Sequence, residues 1–147
     1  MRSDLERKAM FGVDEMARLP AEAYSDDATE RTYRRLFDKA AVALAAGHGV
    51  ILDATFSSAS NRRVAEQIAN VAGVPFFPIW LSAPPKVLID RVRTRTLDAS
   101  DATEDVVRAQ IAATPDAKDW AHVDASGDLA STLATVKRLL EPEAATH

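Results

Sequence analysis

Asp53 closes the run Val50-Ile51-Leu52-Asp53. A carboxylate at the end of a buried apolar strand is costly unless it meets a cation or a set of donors. Asp53 is therefore the foremost single candidate for a site; the competing reading is that its side chain caps the following turn. A phosphoaspartate hydrolase would need a second acid two residues later, where this chain has Thr55. Arg91, Arg93 and Arg95 form the second group, and a spacing of four puts Arg91 and Arg95 on one helix face. Forked guanidiniums there can clamp phosphate oxygens, or they can line a solvated face among Asp90, Asp98 and Asp101. Asp4 and Arg7 are one turn apart at a helix start, where the macrodipole favours the carboxylate. His122, beside Trp120 and Val123, has no companion at a useful ligand or nucleophile spacing and reads as structural. Phe76, Phe77 and Trp80 read as core.

The elements that must position these residues follow from capping and periodicity. Ser3 with Glu6 predicts a capping box and a helix over 4–11, ended by Gly12. Residues 13–24, with Pro20, read as a loop. Asp27 with Glu30 predicts a second box, followed by an amphipathic helix carrying Tyr33, Leu36, Phe37, Ala40, Ala41, Leu44 and Ala45 as far as Gly47. Residues 49–56 and 74–82 are apolar runs expected as strands buried on both faces, with a helix over 61–72 between them. Pro84 and Pro85 start another helix. A polar linker over 96–102, a helix over 103–113, a short strand over 122–126 and a helix capped by Asp128 complete the chain. Alternating strands and helices predict an α/β fold, a short parallel sheet with helices on both faces and ligands at the carboxyl ends of its strands. Asp53 is expected at such an end, with Arg91 or Arg95 on the same edge.

At 147 residues the chain has the length of one domain, and its 47% hydrophobic and 27% charged residues are those of a folded globular protein. One domain is expected over 1–141, with a disordered tail over 142–147. The net charge of −4 offers no global basic field, so duplex nucleic acid is not an expected partner. No cysteine is present, which excludes disulfides and thiolate chemistry. The charged start and the lack of an ~18-residue apolar run argue against a signal peptide or membrane span, so a cytoplasmic location is expected.

Several segments taken together, namely 2–8, 50–56 with Asn61-Arg62, 80–85, 91–95 and 98–103, resemble the P-loop kinase-like proteins usually labelled AAA-family ATPases. That group also occurs as the ATP-binding half of proteins fused to an aminoglycoside-phosphotransferase-like domain. Zeta-toxin, gluconate kinase and polynucleotide 5′-kinase are more distant relatives. The resemblance implies an incomplete nucleoside-kinase-like three-layer fold using ATP and Mg²⁺. It implies that Asp4 takes the proton of a hydroxyl acceptor, that Arg7 holds the acceptor and that Asp53 serves the metal. Thr55, Arg91 and Arg95 would join Asp53 around the nucleotide, the two arginines on a lid over ATP.

The sequence departs from that pattern in one respect. The Gly-x-x-x-x-Gly-Lys-Ser/Thr loop, whose backbone donors and lysine cradle the phosphates, is absent: the five glycines are at 12, 47, 49, 73 and 127, and none precedes a lysine. The family's first strand, central in its sheet, is absent with it, so Met1 is expected to be an internal start. An empty central slot would separate its neighbours by about 10 Å and leave buried amides unpaired. Either those strands close up, another chain fills the slot, or the fold is weak. The leading expectation is a domain that in complete form moves the γ-phosphate of Mg·ATP to a small hydroxyl acceptor or to water, inactive as this chain alone. The rival is a non-catalytic remnant that binds a partner or forms a homodimer through the slot.

Overall fold

The computed structural model describes residues 1–95, 98–113 and 117–141. The expected tail over 142–147 and part of the expected linker lie outside the described residues. The chain divides into two compact units: Met1–Phe76 with Arg95–Thr103, and Phe77–Thr94 with Glu104–His147.

In the first unit, helix α1 spans Ser3–Met10, a 3₁₀ turn spans Ala21–Tyr24, α2 spans Asp26–Ala45 and α3 spans Ala59–Ala72. α2 is the centre of this unit and packs against both α1 and α3. Its inward face carries Tyr33, Leu36, Phe37 and Ala40, and Leu36 is fully buried. Covering a leucine in this way contributes about 1.5–3 kcal/mol. Ala65 and Ala69 of α3 and Phe56 fill the same core. α3 ends where Gly73 takes φ 66°, a left-handed conformation that glycine adopts without a Cβ clash.

Two expected caps are used differently. Arg2, not Ser3, precedes α1 and makes no side-chain cap, and Glu6 turns instead to Lys39 and Arg35 of α2. Ser25, not Asp27, caps α2 by accepting the Ala28 amide at 3.3 Å, which leaves Glu30 to pair with Arg34. Ser58 caps α3, which starts earlier than expected.

The expected strand over 49–56 is not a regular strand. Only a parallel bridge between Arg2 and Asp53 forms. The Met1 ammonium donates to the Ile51 carbonyl at 2.6 Å, the Asp53 amide to Met1 at 2.8 Å, and the Ser3 amide to Asp53 at 2.9 Å. Ile51, expected inside, is 81% exposed. A strand buried on both faces needs helices above and below and partners on both edges, and this run is bridged on one edge over two or three residues only.

In the second unit, β1 spans Ile79–Ser82, α4 Pro85–Thr94, α5 Glu104–Ala112, β2 Ala121–Asp124 and α6 Leu129–Leu140. β1 and β2 pair in parallel, Trp80 opposite His122 and Leu81 opposite Val123. Of the expected strand over 74–82 only its second half pairs, and Phe77, expected in the core, is half exposed. His122 Nε2 lies 3.1 Å from the Ala117 carbonyl and its ring 6.5 Å from that of Trp80. Asp128 caps α6 by accepting the Ser131 amide at 2.7 Å.

Candidate functional site

The buried face of α1 is charged: Glu6, Arg7 and Lys8 are all buried. Charges are taken out of water only where partners or function hold them, so this helix start is where chemistry is to be sought. The bridge to Asp53 fixes the start of α1, and α2 and residues 98–101 of the same unit supply the partners.

Arg2 is the centre of the first cluster. Its Nη2 donates to Asp98 Oδ1 at 2.9 Å, its Nε lies 3.2 Å from Asp53 Oδ2 outside hydrogen-bond geometry, and Nη2 lies 3.9 Å from Asp4 Oδ2. One guanidinium thus serves three carboxylates. Asp98 also accepts the Ser100 amide at 2.9 Å, and that amide and then Arg2 hold its carboxyl below the usual range. Burial pushes the Asp4 carboxyl up, against the opposing pull of Arg2, a Ser100 hydrogen bond and Arg7, with Asp53 adding to the rise. A partly buried carboxylate with raised proton affinity is suited to accept a proton. Asp53, expected to be buried, is instead 65% exposed on its side chain, because the run it closes lies at an edge.

Arg7 is 8% exposed. Its Nη1 donates to the Ala23 carbonyl at 2.5 Å and to Thr29 Oγ1 at 3.3 Å, and its Cζ lies 5.1 Å from the centroid of the Tyr24 ring. Burial lowers its proton affinity. Asp101 forms the second cluster: one oxygen meets Lys8 Nζ at 3.2 Å, and the other accepts the Leu19 amide at 2.9 Å and the Tyr24 hydroxyl at 2.8 Å. Lys8, 1% exposed, also donates to the Glu15 carbonyl at 2.9 Å.

The turn after Asp53 is held from α2 and α3. Phe56 is buried with φ 44°, a left-handed conformation rare for an aromatic residue. Its amide donates to Tyr33 Oη at 2.9 Å, and Arg62 Nη1 donates to its carbonyl at 2.7 Å. Thr55 Oγ1 lies 3.4 Å from the same Tyr33 oxygen.

Asp4, Arg7, Asp53, Thr55 and Arg95 all belong to the first unit, Arg95 with its Nε 3.8 Å from Asp98. Arg91 belongs to the second, where its Nη2 donates to the Gly127 carbonyl at 2.8 Å. Arg93 pairs with Glu104 at 2.6 Å and so forms part of a surface ion pair. Arg2, Tyr24, Lys8 and Asp101 are central here, yet no local pattern marks them. Only the density of charge in residues 2–8 and 98–101 signals Arg2, Lys8 and Asp101, and Tyr24 lies outside both segments. Among the described residues no three His, Cys, Asp or Glu side chains are grouped to hold a metal, and no helix is long and apolar enough to cross a membrane.

Uncharacterized proteins of Mycobacterium bovis and of Mycobacterium tuberculosis are each 30% identical to the chain over 104 residues, 71% of this chain and 21% of the relative. The match thus spans about a fifth of the length of these curated relatives. Residues 1–115, well over half of the chain, match the model of a P-loop kinase-like family described as AAA domain, whose members have nucleotide kinase or ATPase character. The chain belongs to this AAA domain family.

Proposed function

We propose that this chain is the acceptor and metal side of a phosphotransferase that moves the γ-phosphate of Mg·ATP to a small hydroxyl acceptor or to water. The observation that supports the reading is the meeting of Asp4 and Asp53 at one end of the bridge, both within reach of the Arg2 guanidinium. In this reading Asp4 accepts the acceptor's proton, and Arg7, one turn along α1, orients the acceptor. Mg²⁺ is bound in such sites by one or two carboxylates with several retained waters. The exposed carboxylate of Asp53 fits that demand, with Thr55 beside it. When bound, the ion would neutralise charge developing on the phosphoryl oxygens.

A phosphate cradle does not fit the residues at hand, since no glycine is followed by lysine. We therefore place that loop, and the strand that leads to it, outside these 147 residues. In this arrangement 1–141 is one kinase-like domain that lacks its central strand. Arg91 and Arg95 act on the nucleotide only after leaving Gly127 and Asp98.

The test joins a strand and a Gly-rich loop ending in Lys-Ser to the chain ahead of Met1. Asp4→Asn in that protein should lower kcat by about 10²–10⁴ with ATP affinity nearly unchanged, because a general base acts on the acceptor. Full turnover by Asp4→Asn with every acceptor tried would defeat the reading. A second reading, a dimerisation module, draws on the 81% exposure of Ile51, whose run can pair with a strand of a second copy. Sedimentation of the chain decides it: a monomer at high micromolar concentration rules it out.

A further inference from the structure

Three donors from two separate segments converge on the carboxylate of Asp101, a residue the proposed reaction does not use directly. Lys8 comes from the buried face of α1, while the Leu19 amide and the Tyr24 hydroxyl come from the stretch before α2. Its side chain is only 11% exposed. The Tyr24 hydroxyl end is therefore fixed, and the flat of the ring lies over the Arg7 guanidinium at 5.1 Å. The other restraints on Arg7 are neutral: the Ala23 carbonyl and Thr29 Oγ1. Ala23 adjoins Tyr24 in the same 3₁₀ turn, so that turn supplies both the carbonyl and the ring that hold the guanidinium.

We propose that Asp101 is a positioning residue for Arg7, acting through Tyr24 and the Ala21–Tyr24 turn. With the carboxylate in place the turn is pinned at Leu19 and at Tyr24, and the pinned turn holds the Arg7 guanidinium through the Ala23 carbonyl and the Tyr24 ring. Without it the turn loses both anchors, and the guanidinium is held only from Thr29 and by whatever the turn still offers. Lys8 gives the device a second link, since the same carboxylate is the counter-charge of a lysine buried on the same helix. A neutral amide at this position would leave that ammonium beside the Glu15 carbonyl without its counter-charge. The idea rests on the reading in which Arg7 orients the acceptor, but its test does not need the reaction.

The experiment is arginine-guanidinium NMR on the full chain, following rotation about the Arg7 Cζ–Nε bond and exchange of its Nη protons. Arg7 is expected to rotate slowly in the native chain. Rotation should be about 10-fold faster or more in Asp101→Asn, the equivalent of losing ~1.4 kcal/mol of restraint. Tyr24→Phe keeps the ring but not its anchor and should loosen Arg7 as well, while Asp101→Glu should restore slow rotation. Asp90→Asn, in the second unit, is the control. Unchanged Arg7 rotation in Asp101→Asn and Tyr24→Phe, with or without a lower melting temperature, would overturn the proposal and leave Asp101 a stabilising residue only. Because no substrate enters this measurement, its failure leaves the role of Asp4 untouched, and retained turnover in Asp4→Asn would leave this result standing.

Discussion

Tyr33→Phe isolates one oxygen that joins the helical core to the turn after Asp53. The Tyr33 hydroxyl accepts the buried Phe56 amide at 2.9 Å, while the Tyr33 ring packs edge-on against Phe56 at 5.7 Å and tilted against Phe37 at 5.7 Å. Phenylalanine keeps both ring contacts and removes the acceptor. A buried donor left without its partner costs about 1–3 kcal/mol. Arg62 still holds the Phe56 carbonyl, so the turn should stay in place and the cost should appear at the amide. For a protein of this size, 1 kcal/mol moves the melting temperature by roughly 2–4 °C, so Tyr33→Phe should melt about 2–12 °C lower. Thermal unfolding followed by circular dichroism gives that shift, and hydrogen exchange should show faster exchange at the Phe56 amide. Because Phe56 is held at φ 44°, where about 1–3 kcal/mol of backbone strain is stored, loss of one restraint should be felt first there. An unchanged melting temperature together with unchanged Phe56 exchange would refute the reasoning.

Leu36→Ala empties a fully buried position where α2 meets its neighbours and should cost about 2–5 kcal/mol, read by urea unfolding. Asp98 and Asp101 are both held below the usual carboxylate range, the first chiefly by the Ser100 amide. At Asp101 the Leu19, Tyr24 and Lys8 donors outweigh burial. Depressed acids stabilise above their unfolded-state value near pH 4 and lose that contribution as pH falls through the folded value, so melting temperature should drop below about pH 4 and less so in an Asp98→Asn, Asp101→Asn double variant. Asp4 has the opposite sign: its raised folded-state value means stability is present at low pH and lost as pH rises through it. Asp4→Asn should therefore melt higher than the native chain at pH 7, with the gap closing near pH 3.

What could be read from the residues was local. α2 follows from its apolar spacing, α6 from the Asp128 cap, and both structures agree with the pattern because a helix satisfies its own backbone. The run over 49–56 reads as a strand for equally good local reasons. A strand is completed only by neighbours, however, and here the neighbour is a two-residue bridge, so Ile51 lies in solvent. The caps show the same limit. Ser3 and Asp27 had the right types and spacing, but Arg2 was fixed by its bridge to Asp53, and Ser25, two residues before Asp27, takes the Ala28 amide on its hydroxyl. Asp53 stands out as a candidate from its type and neighbours, whereas Asp4 and Arg7 became candidates only through the family resemblance. Arg2 and Asp101 could not be picked out, since their partners lie 96 and 93 residues away, across α1 from residues 98–101.

The arrangement of α1 explains why those distant partners are needed. An ordinary surface helix turns an apolar stripe inward and charge outward. α1 turns Glu6, Arg7 and Lys8 inward, so its docking gains little from apolar burial and depends on counter-charges supplied by other segments. Each is met by a different one: Glu6 by Lys39 and Arg35 of α2, Lys8 by Asp101, and Arg7 by the neutral Ala23, Thr29 and Tyr24. Of the three, the guanidinium is the one whose direct partners carry no opposite charge. A buried cation matched by dipoles and a ring is less stable than one matched by an anion. The fold therefore retains, one turn from Asp4, a buried guanidinium held by a carbonyl, a hydroxyl and a ring rather than by an anion.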